Sequence, residues 1–482
     1  MAAIWGRTWR SMASHEGGDD GGSLQPTAGG ESRSTSGTNY STTTTHTTNM
    51  SERSLAFHPF TVLPTATVLE ENADELGEEE RVKKLEHIKS LVVLFCKDNN
   101  NSATERWLYE LGVNWVLHLS HVSESGRSFI SGQLLYLAGS WIEALFEINH
   151  YISVCFGGHL GKEKATTDDV GYEFLRFVQA TLSKMLPFVD AIVAVRVSGR
   201  RGAGEPADEK LRALILVRDG LSMAPAQIMS SFSSSPCCEG YLSADLLARL
   251  DEAIWDTMEE ANFSTCSRGT QRSPSIHKGT LSVINCINVL WANYGSVNRI
   301  IHDAFLRGEF VPENENVSHL INLTIQMARS LEEMVIRNSQ SFPNQSLKFL
   351  FLINNFYFIL QQLHTHCPLV FPIREHVGKI DSYIHSYIQV SWAPVSECLR
   401  NPTPCCFTRR SPLPRFESKF QQTYTVQKLW KVPAPEMRKR LRNAIVEEVI
   451  PVFTQFLKDN SNSTPRVTPQ EMTKLLSGLF EG

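Results

Sequence analysis

The sequence predicts an all-α protein, built as an elongated rod of stacked antiparallel helical bundles. Apolar residues recur at helical spacing from about residue 73 to the end of the 482-residue chain. No segment alternates apolar and polar residues in the manner of strands joined by hairpin turns, and no βαβ alternation appears. Because consecutive helices are joined by polar connectors, we expect antiparallel neighbours packed in bundles.

The first 55 residues differ in composition from the rest of the chain. They are rich in Gly, Ser and Thr, and residues 41–48 contain only Ser, Thr and one His. Such a segment buries too little apolar surface to offset the entropy lost on ordering. We therefore predict a disordered low-complexity segment at 1–55, an N-terminal helical region at 56–170 and a larger helical domain at 171–482.

Helical periodicity begins with an acidic run followed by an apolar stripe. The acidic residues at 78–80 suit the positive end of a helix. The stripe behind them comprises Val82, Leu85, Ile88, Val92 and Phe95. Later stripes include Trp141, Leu145 and Ile148, and then Phe174, Phe177, Val178, Leu182 and Met185. This spacing predicts amphipathic helices that bury one face.

The last part of the chain predicts a long helix with well-marked boundaries. Pro435 suits the first position of a helix, and Glu436 complements the helix dipole. Pro451 lies inside the periodic pattern and predicts a kink or a split. A shorter helix is predicted at 471–479. The buried face of the long helix should contain Leu441, Ile445, Val449 and Phe453.

Composition narrows the class of protein. The net charge of −5 argues against a dedicated nucleic-acid binder, so no nucleic acid partner is predicted. Ten cysteines with no CxxC spacing are typical of a reduced, intracellular protein. No window of eighteen apolar residues predicts a transmembrane span, and the N-terminus does not resemble a secretory signal. We expect a cytoplasmic protein whose membrane contact, if any, is peripheral.

Catalytic and metal-binding signatures are missing from the sequence. No nucleophile motif such as GxSxG occurs. His364, His366 and Cys367 are potential metal ligands, but no nearby residues complete a four-ligand zinc site. The sequence therefore predicts no enzymatic activity, no metal and no cofactor.

Two pairs of adjacent cysteines lie in polar connectors rich in Ser and Pro. They are Cys237 with Cys238 and Cys405 with Cys406. Reversible acylation of these thiols would add a membrane anchor. Unmodified thiols in a loop are the favoured interpretation.

A basic cluster at 405–442 is the main electrostatic feature of the sequence. It holds ten basic residues against two acidic ones, Glu417 and Glu436, so its charge is +8 in a chain of −5. Near an anionic membrane each such cation contributes roughly 1 kcal/mol. A solvated basic face, or a surface for an acidic partner subunit, explains the cluster as well. The candidate lipid-binding residues here are Arg438, Lys439, Arg440, Arg442, Lys428 and Lys431.

Several blocks of the sequence contain recognisable motifs, among them residues 347–355, which read Leu-Lys-Phe-Leu-Phe-Leu-Ile-Asn-Asn. This block is similar to the Leu-Phe-Leu-Met-Asn-Asn element of the seventy-kilodalton subunit family of the exocyst, a vesicle-tethering complex, and the other blocks resemble the same family. Residues 275–287 resemble a block that normally contains Val-His-Pro-Leu-Thr, and 416–482 is the best match. Further similar blocks lie at 174–186, 209–218 and 384–399. The resemblance covers about 170 to 482 and suggests a divergent, plant-type member.

The resemblance implies a role in exocytosis. It implies other exocyst subunits as partners and peripheral contact with phosphatidylinositol 4,5-bisphosphate at the plasma membrane or on vesicles. Family members carry a Lys-rich connector before the last helix, whereas the matching stretch here keeps only Lys458 and Arg466 as further lipid-binding candidates. This departure leaves a second interpretation open, a divergent interaction adaptor in defence signalling or autophagy that no longer joins the exocyst.

Overall fold

The computed structural model describes residues 76–98, 101–121, 132–157, 168–197, 206–224, 241–263, 273–366, 373–400 and 412–482. All of these residues lie within one compact unit, Asp74–Gly482. The predicted disordered segment at 1–55 lies outside the described residues, as do Cys237, Cys238, Cys405 and Cys406. The boundary predicted between 170 and 171 stays a prediction.

The part of the chain that the structure describes is all-α, as predicted. It contains no β-strand, only isolated bridges such as the antiparallel one between Lys431 and Glu481. The first half contains α1 (Leu76–Asp98), α2 (Asn101–Glu110), a 3₁₀ segment (Asn114–His121), α3 (Leu134–Gly157), α4 (Asp168–Met185), α5 (Pro187–Val193), α6 (Ala207–Met223) and α7 (Tyr241–Phe263). The second half contains α8 (Lys278–Ala292), α9 (Tyr294–Leu306), α10 (His319–Ser339), α11 (Gln345–His366), α12 (Ile373–Ser391), α13 (Ala393–Arg400), α14 (Leu413–Gln427), α15 (Pro435–Asp459) and α16 (Pro469–Ser477).

Helices pack mainly against others that are near them in the sequence, as expected for stacked bundles. Helix α6 packs against α3, α7 and α8, and α11 packs against α10 and α12. The chain closes with α13 between α14 and α15, and with α16 on α15. The core is therefore continuous through successive helix layers within residues 74–482.

The predicted stripes form this core with one exception. Trp141, Leu145 and Ile148 are buried, as is the predicted face of α15. Val82 is exposed, so the stripe of α1 begins at the partly buried Leu85. Helical spacing identifies the buried face, but it does not show where along a helix the neighbouring helix stops covering that face.

Local chemistry sets the boundaries of the last two helices. Helix α15 begins at Pro435, as predicted, and it continues through Pro451. Of the kink or split predicted there, the split does not occur and the kink stays a prediction. Pro451 is exposed, and water can reach the carbonyl group that loses its helical partner there. Helix α16 begins two residues before its predicted start. Thr468 and Glu471 form a capping box, in which each side chain accepts a hydrogen bond from the other residue's backbone N–H.

Candidate lipid-contact site

The eight predicted lipid-binding residues lie in two places. Arg438, Lys439, Arg440 and Arg442 occupy the first turns of α15, and Lys428 and Lys431 lie in the loop before it. Lys458 is in the last turn of α15, about 30 Å from Arg438 at 1.5 Å rise per residue. Arg466 is 87% exposed, and its Nε lies 3.8 Å from Glu417. The structure therefore places Lys458 at the far end of α15 from Arg438, and Arg466 against α14.

The arginines at the start of α15 point to the flanks of the helix, because Met437 and Leu441 take the core face. Arg438 and Arg442 are one turn apart and share a flank. On the opposite flank Arg440 pairs with Asp381 of α12, and burial lowers the pKa of Arg440. Lys439 is exposed on the outer face.

Glu481 is the shared partner of the first two arginines. Arg438 Nη1 donates to Glu481 Oε2, and Arg442 Nη2 donates to Glu481 Oε1 at 2.6 Å. The hydrogen bond from Arg442, together with the nearby charge of Arg438, holds the pKa of the Glu481 carboxyl below its usual value. The two guanidinium groups therefore bind the two oxygens of one carboxylate.

The segment at 478–482, called the tail here, is fixed by its backbone and by two buried side chains. Val432 N donates to Phe480 O at 3.2 Å, and Arg442 Nε donates to Leu479 O at 2.9 Å. Leu479 and Phe480 are fully buried, and Phe480 has a positive φ of 68°. The tail thus lies against the loop that carries Lys431 and against the start of α15.

An asparagine pair on α11 holds the loop from its other side. Asn354 Nδ2 donates to Lys431 O at 3.2 Å and to Pro274 O at 2.7 Å. Asn355 Oδ1 accepts from His277 N at 2.8 Å and from Thr280 Oγ1 at 2.9 Å. This pair, quoted above as part of a family-like block, is a structural junction between α8, α11 and the loop.

The remaining candidates at this end of α15 are lysines that face solvent. Lys428, Lys431 and Lys439 are exposed and make no ion pair with any residue that the structure describes. Arg409 and Arg410 lie outside the described residues. Of the six candidates at this end of α15, three are therefore exposed lysines, called the lysine surface here, and three are arginines already bound to carboxylates.

Sequence reasoning missed Glu481, which changes the interpretation of the cluster. The charge of +8 was counted over residues 405–442, and Glu481 lies 39 residues beyond Arg442 in the chain. Only the return of the tail to α15 brings them together. The sequence shows the apolar Leu479 and Phe480 followed by the acidic Glu481, but no local pattern indicates which cation Glu481 binds.

Other chemistry gives no second site in the described part of the chain. No group of three or more potential metal ligands is found among the described residues. Cys367 and the side chain of His366 lie outside them. Burial raises the pKa of the Cys286 thiol to about 12, so this cysteine behaves as a core residue. Among the described helices none is long and apolar enough to cross a bilayer.

The packed helix layers of the described residues define an all-α protein with exposed lysines at the start of its last long helix. The chain belongs to the Exo70 family, since the family model for the C-terminal part of the Exo70 exocyst complex subunit matches residues 163–478. This confirms the resemblance drawn from the sequence blocks.

Individual relatives are distant. The chain is 22% identical over 437 residues to exocyst complex component EXO70A1 of Arabidopsis thaliana, covering 82% of this chain and 64% of that protein. It is 25% identical over 221 residues to EXO70E2 of the same plant, covering 43% of this chain and 34% of that one. The chain thus spans less than two thirds of the length of these relatives. The structure of Exo70 from S. cerevisiae aligns with a TM-score of 0.38 at 11% identity, covering 84% of this chain and 87% of that one. No conclusion is based on a structural similarity this low.

Proposed function

We propose that the chain acts as an exocyst subunit that helps to hold secretory vesicles at the plasma membrane. Membership of the Exo70 family supports this proposal, because the region that matches the family model extends over most of the described helices. Its partners are then other exocyst subunits, and its place is the cytoplasm, peripheral to the plasma membrane or to vesicles. Recovery of those subunits with the tagged chain tests this part.

The membrane contact is assigned to the lysine surface, with phosphoinositide as the anionic lipid. Lys428, Lys431 and Lys439 are exposed cations without a carboxylate partner among the described residues. Each supplies roughly 1 kcal/mol at an anionic membrane, so the three give a weak attachment by themselves. Contact with partner subunits makes the attachment effective, because the second contact is then intramolecular.

The lipid contact is tested by reversing the three lysines rather than the arginines. The full chain should sediment with phosphatidylcholine vesicles that contain phosphatidylinositol 4,5-bisphosphate. The variant Lys428→Glu, Lys431→Glu, Lys439→Glu should bind at least about a hundredfold more weakly, since three contacts of roughly 1 kcal/mol each are lost and replaced by repulsion. Reversal of Arg438, Arg440 or Arg442 would also break internal ion pairs and so would not isolate lipid binding.

A matched control distinguishes an effect of the lysine surface on vesicle binding from an effect of the net charge of the chain. Lys89 and Lys97 on α1 and Lys278 on α8 are also exposed, and their replacement by Glu changes the net charge equally. This control should bind vesicles like the parent chain. Equal losses in the two triple variants would show that attraction depends on overall charge, and the assignment to the lysine surface would be wrong.

The adaptor interpretation has one observation in its favour. The stretch that replaces the Lys-rich connector keeps Lys458 and Arg466 only, and Lys458 lies at the opposite end of α15 from Lys439. A chain that is folded and expressed but recovers no exocyst subunit would support the adaptor role.

A further inference from the structure

The contact between α15 and the tail has the geometry of an occupied anion site. Two arginines one helical turn apart each bind a different oxygen of the same carboxylate, Arg438 at Oε2 and Arg442 at Oε1 of Glu481. Guanidinium groups that converge in this way also match the oxygens of a phosphate group. A carboxylate from the chain itself thus fills a place where an external anion fits.

Arg442 is held in this position without help from Glu481. Its Nε donates to Leu479 O at 2.9 Å, and its Nη2 donates to the same carbonyl oxygen. A carbonyl oxygen leaves the positive charge of the guanidinium in place. The site would therefore stay oriented and cationic if the carboxylate moved away.

Glu481 is free to move because other residues anchor the tail. Its side chain is 59% exposed, whereas Leu479 and Phe480 before it are fully buried. The hydrogen bond from Val432 N to Phe480 O does not involve the carboxylate. Rotation of the Glu481 side chain toward solvent would uncover both guanidinium groups and leave the tail in place.

A third cation borders the site. The aliphatic part of the Lys431 side chain lies against Gly482, where a Cβ atom would be 3.1 Å from Lys431 Cδ. Lys431 also forms the antiparallel bridge with Glu481. The arginine pair thus lies next to Lys431, one residue of the lysine surface.

We propose that Arg438 and Arg442 form a phosphate-binding site that Glu481 occupies in the free chain, and that a phosphate group of a phosphoinositide headgroup displaces Glu481. The inference rests on the proposed lipid contact at the lysine surface. It adds a second lipid-binding site, the arginine pair, called the masked site here because Glu481 blocks it in the free chain. Because Glu481 competes with the lipid, the free chain binds membranes more weakly than its cations allow.

The test compares the full chain with Glu481→Gln on vesicles with and without phosphatidylinositol 4,5-bisphosphate. Removal of the competing charge should strengthen phosphoinositide-dependent binding about fivefold, the factor that an exposed ion pair of ordinary strength supplies. Glu436→Gln changes the net charge equally on the same helix, and Glu436 has no ion pair among the described residues, so this control should bind like the parent chain.

A second variant links any gain to the arginines. Adding Arg438→Gln to Glu481→Gln should cancel the gain, since Arg438 contacts no carboxylate other than Glu481 in the described part of the chain. Soluble inositol trisphosphate, which carries the same phosphate chemistry without a membrane, should compete with the vesicles. A gain seen with the soluble headgroup but not with vesicles would overturn the assignment to a membrane lipid.

Failure of this inference is distinguishable from failure of the proposed lipid contact. If Glu481→Gln binds like the parent chain while the lysine variant loses binding, the masked site is wrong and the lysine surface stands. If neither the parent chain nor Glu481→Gln binds phosphoinositide vesicles, both are wrong. A gain in Glu436→Gln equal to that in Glu481→Gln would also contradict the masked site.

Discussion

Two sites in this chain pair guanidinium groups with carboxylates, but one is more deeply buried than the other. Arg218 on α6 is 6% exposed, and its Nε lies 2.8 Å from Asp251 on α7, with Asp219 at 3.2 Å from Nη1. Arg438 and Arg442 bind Glu481, whose side chain faces water. Water replaces a lost partner at the exposed site but not at the buried one. Loss of a partner should therefore cost more stability at the first site, whereas the second can exchange its anion.

The largest effect is expected at the buried pair. Arg218→Ala leaves Asp251 and Asp219 without their cation, and the free energy of unfolding should fall by about 3 kcal/mol. Urea unfolding followed by the helical circular dichroism signal measures this loss. Arg249→Ala, which removes an exposed pair with Asp190, serves as the control and should cost less than about 0.5 kcal/mol. Similar losses of unfolding free energy in the two variants would contradict the distinction between buried and exposed ion pairs.

Glu332 provides an intermediate case and a pH dependence. Its side chain is 13% exposed and lies 2.9 Å from His376 Nδ1 and 2.9 Å from Lys379 Nζ. Burial alone would raise the pKa of Glu332, but hydrogen bonds and charge from His376 and Lys379 hold it below the usual value. Because the folded pKa lies below the unfolded one, the contribution is present above about pH 4.3 and is lost as the pH falls through the folded pKa.

Glu332→Gln should therefore lower stability near neutral pH by about 2 kcal/mol. It should also lose less further stability than the parent chain between about pH 5 and pH 3. Urea midpoints measured across that range check both statements. Parallel curves for the two proteins would mean that Glu332 has the same pKa folded and unfolded.

The smallest effects are expected at the tail, where the two arginines should differ. Arg442→Ala removes hydrogen bonds to Leu479 O and should cost about 1 kcal/mol. Arg438→Ala removes only its contact with Glu481 and should leave the melting temperature unchanged. Hydrogen exchange of the Val432 amide, which donates to Phe480 O, reports on the tail directly. Faster exchange in Arg438→Ala than in Arg442→Ala would contradict the separate roles.

Much of the fold is predictable because it depends on local spacing. The four-residue repeat of Leu441, Ile445, Val449 and Phe453 identifies the buried face of α15, and Pro435 marks its start. Of the two outcomes predicted at Pro451, a kink or a split, the split is wrong because the buried Val449 and Phe453 hold the helix together on both sides. Packing of this face outweighs the one helical hydrogen bond that Pro451 removes.

The candidate site is less predictable because its charges are paired at a distance. Sequence separates Arg440 from Asp381 by 59 residues, and Arg442 from Glu481 by 39. A count over neighbouring positions treats all these arginines as available, whereas only lysines of the cluster remain unpaired among the described residues. Side-chain length and local charge do not indicate which cation a returning segment will meet.

The most direct test of the proposed role is affinity purification of the tagged full-length chain from its native cells, with the lysine-surface variant in parallel. We expect several other exocyst subunits to accompany the parent chain and the variant alike. The parent chain should be more enriched in the membrane fraction than the variant, because the variant lacks the proposed lipid contact. Recovery of no exocyst subunit with a folded, expressed chain would contradict the proposed role and favour the adaptor.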